Sequence, residues 1–184
     1  MKTWTNFIAF QIVWFAAVLG AAHGYWWAGP VALAGFLTYH LRAGVRKKGD
    51  FKLMAIALCL GFATDTLMAA SGLSSYASPI PAAPLAPFWI LSLWAGFALT
   101  LNHSMSWFTA RTPVAAPLAA IFGPVSYYGA GRAWGAVQIT EPVALPLIVL
   151  GTCWLIAMSV LSIAARRFSL ANDNSDPQIL QRSS

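Results

Sequence analysis

The chain is 184 residues long, 59% hydrophobic and only 9% charged, against roughly 45–50% and about 25% in an average soluble domain. That composition excludes a soluble globular domain, a disordered chain and a disulfide scaffold. The net charge of +6 comes from a shortage of acids, and in so apolar a chain it does not point to a nucleic-acid partner.

Apolar runs bounded by glycine, proline or charge predict helices at about residues 3 to 21, 25 to 43, 51 to 70, 87 to 109, 114 to 136 and 143 to 165. At about 20 residues per span these consume most of the chain and leave no room for a separate water-soluble domain. The expected fold class is all-α: a polytopic transmembrane bundle of about six helices, one domain over residues 1–167 with a disordered cytoplasmic tail over 168–184. The start of the first helix, with Lys2, an apolar stretch and Gly20-Ala21-Ala22, is also the pattern of a cleavable signal peptide. Asn6 and Gln11 favour retention, because a bundle helix uses such residues to hydrogen-bond its neighbours.

Sidedness follows from where the basic residues fall. The segment after the second helix reads Arg46-Lys47-Lys48-Gly49-Asp50, whereas Ser71 to Ala86 carries no charge. With the N-terminus cytoplasmic, every Lys and Arg except Arg132 lies inside, so the positive-inside rule predicts an N-in, C-in, multi-pass protein of the bacterial inner membrane. Cys59 and Cys153 have no metal-ligand or redox spacing and are expected as buried packing residues. Trp4, Trp26, Trp27, Trp89 and Trp134 fall near predicted helix ends, where an indole keeps its N–H wet; Trp14, Trp94, Trp107 and Trp154 lie deeper and read as packing.

Ionisable residues inside spans are costly and mark candidate sites. On the third helix Ala57, Gly61, Asp65 and Ala69 recur every four residues, so Asp65 sits in a small-residue stripe and points inward. The fourth predicted helix carries the densest polar run, Leu101-Asn102-His103-Ser104. The fifth carries Gly123-Pro124, then Ser126, Tyr127, Tyr128 and Arg132. At about 1.5 Å per residue, Asp65 lies roughly 20 Å from the cytoplasmic side and His103 only about 6–9 Å. Two layers result: an outer one of Asp65 and Arg132, expected to form an ion pair, with Tyr128 one turn below Arg132, and an inner one of His40, Asn102, His103 and Ser104.

Several enzyme classes are excluded by counting. Three histidines in all are too few for a membrane di-iron oxygenase. A three-ligand zinc site needs a carboxylate at the depth of His40 and His103, and no span supplies one, so no metal and no cofactor are expected. No G-x-S-x-G, H-E-x-x-H or paired reactive cysteine is present.

Phe10-Gln11 with Trp14-Phe15, Gly29-Pro30, His40-Leu41, Asp65, Ala86-Pro87 with Trp89, Leu93-Trp94, Thr100-Leu101-Asn102-His103-Ser104 with Trp107, and Gly123-Pro124 with Tyr127 together resemble an uncharacterised family of bacterial inner-membrane proteins, domain of unknown function 2878. The resemblance spans about residues 4 to 165, and the T-L-N-H-S run is its most specific part. Members of that family often sit beside genes for modifying the fatty acyl chains of membrane lipids, so the resemblance implies a lipid-linked setting. The leading expectation is a non-catalytic accessory or lipid-binding protein whose partners are membrane lipids and a lipid-modifying membrane enzyme. The alternatives are a small-solute or proton-coupled transporter and an intramembrane enzyme acting on a lipid or isoprenoid through His103 and Asn102.

Overall fold

A computed structural model describes residues 3–42 and 44–173. The elements in chain order are α1 Thr3–Ala22, α2 Ala28–His40, α3 Asp50–Ala70, β1 Ser74–Tyr76, α4 Phe88–Leu101, α5 Ser106–Thr109, α6 Thr112–Trp134, β2 Val137–Ile139 and α7 Ala144–Asp173. The architecture is a helical bundle, with seven helices among the described residues where six were expected. The additional one arises because the predicted fourth helix breaks after Leu101. There His103 N and Met105 N both donate to Thr100 O at 2.9 Å, and the helix restarts at Ser106 as α5. The break has a cause in the side chains: the neighbours Asn102 and His103 both reach Asp50 of α3, and Ser104 reaches Asn6 of α1, whereas a continuous helix spreads consecutive residues about 100° apart and would not turn two of them onto one carboxylate.

Among the described residues three helices are long and apolar enough to cross a membrane: α1, α3 and the Ala144–Phe168 part of α7. The distribution of side chains is that of a protein solvated by hydrocarbon. Ile12, Phe122 and Ile148 are 61%, 64% and 66% exposed, while Asn6, His40, Asp50 and Asp65 are buried. A soluble protein arranges the reverse, and the bundle is membrane-associated. The exposed apolar surface also takes in one expected core residue, Cys59 on α3, while Cys153 on α7 is half-buried. Trp89, expected at an interface, is instead in the core with its indole N–H on Ala77 O at 2.9 Å.

The charge-free segment after α3 contains β1, which pairs antiparallel with β2 in the register Ser74 to Ile139, Ser75 to Gln138 and Tyr76 to Val137. This two-stranded sheet closes one end of the bundle, here the strand end. The opposite, basic end carries the α2–α3 turn, the break between α4 and α5, and the last turns of α7, where Lys52 Nζ stands 5.4 Å over the Phe168 ring. α7 runs on to Asp173, since no glycine or proline falls between Gly151 and Pro177. Residues 168–173 of the expected disordered tail are thus helical, and 174–184 lie outside the described residues.

Two indoles fill the centre. Trp94 of α4 and Trp154 of α7 stack with centroids 4.5 Å apart and planes 16° from parallel. Trp94 lies flat on Gly61 of α3 and Trp154 on Gly123 of α6, and a Cβ on either glycine would overlap the adjacent ring. The small-residue stripe of α3, with Ala57, Gly61 and Asp65 all buried, thus receives an indole rather than another helix backbone. Gly61→Val and Gly123→Val should each lower stability by about 1–3 kcal/mol through overpacking, read as a lower thermal midpoint in detergent. Gly129→Ala, with nothing near its would-be Cβ, should be neutral or slightly stabilising.

Candidate functional site

At the basic end, four elements converge on one carboxylate that the sequence left unassigned, Asp50, the first residue of α3. Its Oδ2 accepts from His40 Nε2 at 2.7 Å, His103 Nε2 at 3.0 Å and Lys47 N at 2.8 Å, and its Oδ1 accepts from Asn102 Nδ2 at 2.8 Å. The His40 and His103 rings meet edge to face with centroids 4.9 Å apart. Lys47 Nζ donates to Asn102 O at 2.5 Å. Of the expected inner layer, His40, Asn102 and His103 are together. Ser104 is elsewhere: its Oγ donates to Asn6 Oδ1 at 2.6 Å, while Asn6 Nδ2 donates to Leu99 O at 3.0 Å, so this pair fastens α1 to the end of α4.

Asp50 corrects the argument against a three-ligand metal site. That argument placed the acid in the basic loop and found no carboxylate at the depth of the two histidines; by opening α3, Asp50 supplies one. The signal was available, because Asp50 is the only acid before Asp65 and begins an apolar helix directly after a turn from His40.

At the strand end, Asp65 is buried and takes three donors. Tyr76 OH and Tyr127 OH each reach Oδ1 at 2.9 Å, and Trp94 Nε1 reaches Oδ2 at 2.8 Å. The expected ion pair with Arg132 is not formed: both Arg132 and Tyr128 are exposed, and among the described residues Asp65 has no ionic partner. Helical phase is the reason. Arg132 lies five residues beyond Tyr127, about 140° around the helix at 100° per residue, so turning Tyr127 inward turns Arg132 and Tyr128 outward. Burial, together with the Asp65 charge, pushes the Tyr76 phenol well above its ordinary range, which keeps it a proton donor to Asp65.

Beside Asp65 lies a cavity of about 380 Å³ bounded by α1, α4, α6 and α7, within the roughly 300–1,000 Å³ of small-molecule sites. Its walls are almost wholly aromatic and aliphatic, with Gln11, Ser126 and Tyr127 as the polar members. Trp14 and Phe15 of α1 pack edge-on against Trp134 of α6 at 5.7 and 6.0 Å, joining the two helices near the strand end. The cavity also reaches Phe15 and Phe122, which are 44% and 64% exposed, so it opens sideways onto the apolar surface. Trp154 lines it, and the indole Nε1–H of Trp154 is buried without a partner among the described residues.

Fold and site together define a membrane-associated helical bundle with two hydrogen-bonded buried acids and a lateral aromatic cavity. The chain belongs to the family described as protein of unknown function (DUF2878), whose model matches residues 3–160. No curated protein and no solved structure matches it.

Arg132→Leu should change stability by no more than about 0.5 kcal/mol, as for other exposed positions. Asp65→Leu leaves three donors unsatisfied at about 1–3 kcal/mol each, and should sharply reduce the monodisperse fraction in detergent chromatography of a fluorescent fusion. Equal losses from the two substitutions would restore the ion pair.

Proposed function

We propose that this protein binds a lipid-like molecule in the lateral cavity and serves as a non-catalytic partner in membrane-lipid modification. The observation that carries the reading is the opening itself: an aromatic-walled cavity reached from the apolar surface between Phe15 and Phe122 admits a ligand that arrives within the bilayer. Aromatic walls favour an acyl or isoprenoid chain. The unpartnered Trp154 Nε1–H favours a ligand that also carries an acceptor oxygen, since a buried donor left unpaired costs about 1–3 kcal/mol.

The proposed setting is the bacterial inner membrane, crossed several times, with both ends cytoplasmic. Arg46, Lys47, Lys48 and Lys52 flank Asp50, and Arg166 and Arg167 lie beside Phe168, so the basic end would face the cytoplasm and the sheet the outside. The link to acyl-chain modification rests on the family's genomic setting. A second reading, an intramembrane enzyme on a lipid, has one observation in its favour: His103 and Asn102 both bond to a buried carboxylate, the arrangement that orients a histidine base.

The test is lipid analysis of the purified protein. Wild type should retain a bound lipid enriched over the surrounding extract, and Ala119→Phe, which fills the cavity from α6, should lower retention by about tenfold, or 1.4 kcal/mol, with the thermal midpoint kept. Retention no different from bulk lipid in both proteins would sink the reading. A deletion strain should show altered acyl composition, restored by wild type and by His103→Gln if the role is non-catalytic; failure of His103→Gln alone, at normal protein level, would favour the enzyme.

A further inference from the structure

In the Asp50 cluster one carboxylate oxygen, Oδ2, meets more donors than its two lone pairs accommodate. Oδ2 offers two lone-pair directions and faces three donors, His40 Nε2, His103 Nε2 and the Lys47 backbone N–H. Oδ1 is occupied by Asn102 Nδ2. The imidazoles come from the end of α2 and the turn after α4, and all three side chains are buried. Their candidate ligand atoms lie within 4.8 Å of one another. We propose that His40 Nε2, His103 Nε2 and Asp50 Oδ2 form a binding site for a divalent first-row transition metal.

Metal binding resolves the excess. If both imidazoles carry their proton on Nδ1, the two Nε2 lone pairs and one Oδ2 lone pair point to the ion, and the second Oδ2 lone pair remains for Lys47 N–H. Asn102 on Oδ1 and Lys47 N on Oδ2 then act as the outer hydrogen bonds that orient a ligating carboxylate. Bonds of about 2.0–2.1 Å in tetrahedral geometry separate ligand atoms by roughly 3.3 Å. The Nε2–Oδ2 distances of 2.7 and 3.0 Å are shorter than that separation and the candidate ligand atoms all lie within 4.8 Å of one another, so binding opens the first two contacts and draws the imidazoles onto the ion by small side-chain rotations. In this tautomer His40 Nδ1–H is a buried donor without a partner among the described residues, so metal binding also calls for a water or another acceptor at that nitrogen.

The donor set selects the metal class. Two imidazoles and one carboxylate suit Zn²⁺ or Fe²⁺ and not Ca²⁺ or Mg²⁺, which require more oxygens. Three protein ligands leave at least one position for water or a ligand oxygen. One carboxylate against a divalent ion leaves one positive charge, which a bound hydroxide or anionic headgroup oxygen would neutralise. The site stands at the basic end, away from the aromatic cavity, and is independent of lipid binding there.

The experiment uses the full chain in detergent, stripped with chelator and titrated with Co²⁺. Wild type should bind about one equivalent with visible ligand-field bands of a four- or five-coordinate ion and gain thermal stability by mass action. His103→Cys, which keeps a ligand, should add a sulfur-to-cobalt charge-transfer band that only direct coordination produces, and His103→Ala should lose at least about tenfold in affinity. Arg132→Leu, exposed at the strand end, should bind as wild type. If folded wild type takes up no Co²⁺ or Zn²⁺, or if His103→Cys binds Co²⁺ without the charge-transfer band, the site is not a metal centre.

Discussion

A carboxylate inside an apolar bundle persists only if protein donors replace the water it has lost. Its desolvation costs several kcal/mol and hydrocarbon returns nothing. α3 carries two such groups fifteen residues apart, Asp50 and Asp65, near opposite ends, and each recruits donors from several elements. Asp50 gathers the end of α2, the α2–α3 turn and the turn after α4. Asp65 gathers β1, α4 and α6. Between them, these bonds tie α2, α4, α6 and β1 to α3.

The same bonds shape the cavity. Tyr127 and Trp94 line it and also donate to Asp65, so the acid holds two wall residues in place from behind. Trp154 is held differently, by its stack on Trp94 and by the flat surface of Gly123. A wall fixed in this way is formed before a ligand arrives, which lowers the ordering cost of binding. The remaining side of the cavity is α1, which is tied to α4 through Asn6 and Ser104 at the basic end and meets α6 through aromatic edges near the strand end, leaving the gap between.

Much of the fold was legible because apolar runs in a membrane chain are long and their ends are marked by charge or proline. The inward face of α3 followed from residue size alone. Asp50 escaped because assigning it to a basic loop, one residue short of the helix, removed it from the list of buried groups. The Asp65–Arg132 pairing came from matching charge and depth without rotation; the phase that places Tyr127 inward excludes Arg132. The break after Leu101 was hidden because its cause is tertiary, the Asp50 carboxylate that takes both Asn102 and His103 and the Asn6 amide that takes Ser104. The sheet was hidden because Ser74–Tyr76 and Val137–Ile139 are three-residue strands far apart in sequence, where periodicity has too few residues to speak. The cavity depends on a gap between helices, which no local pattern encodes.

If the two acids organise the bundle separately, each should control the protection of its own end. Amide hydrogen exchange on Asp65→Asn and Asp50→Asn, compared with wild type in the same detergent, tests this most directly. Asn at position 65 sets an N–H against a ring of donors, and protection should fall over β1, β2 and the strand-end half of α6 while residues 101–109 stay as in wild type. At position 50 the loss should be confined to residues 40–50 and 101–106. Uniform loss along the chain in either variant, or unchanged exchange in both, would contradict the account.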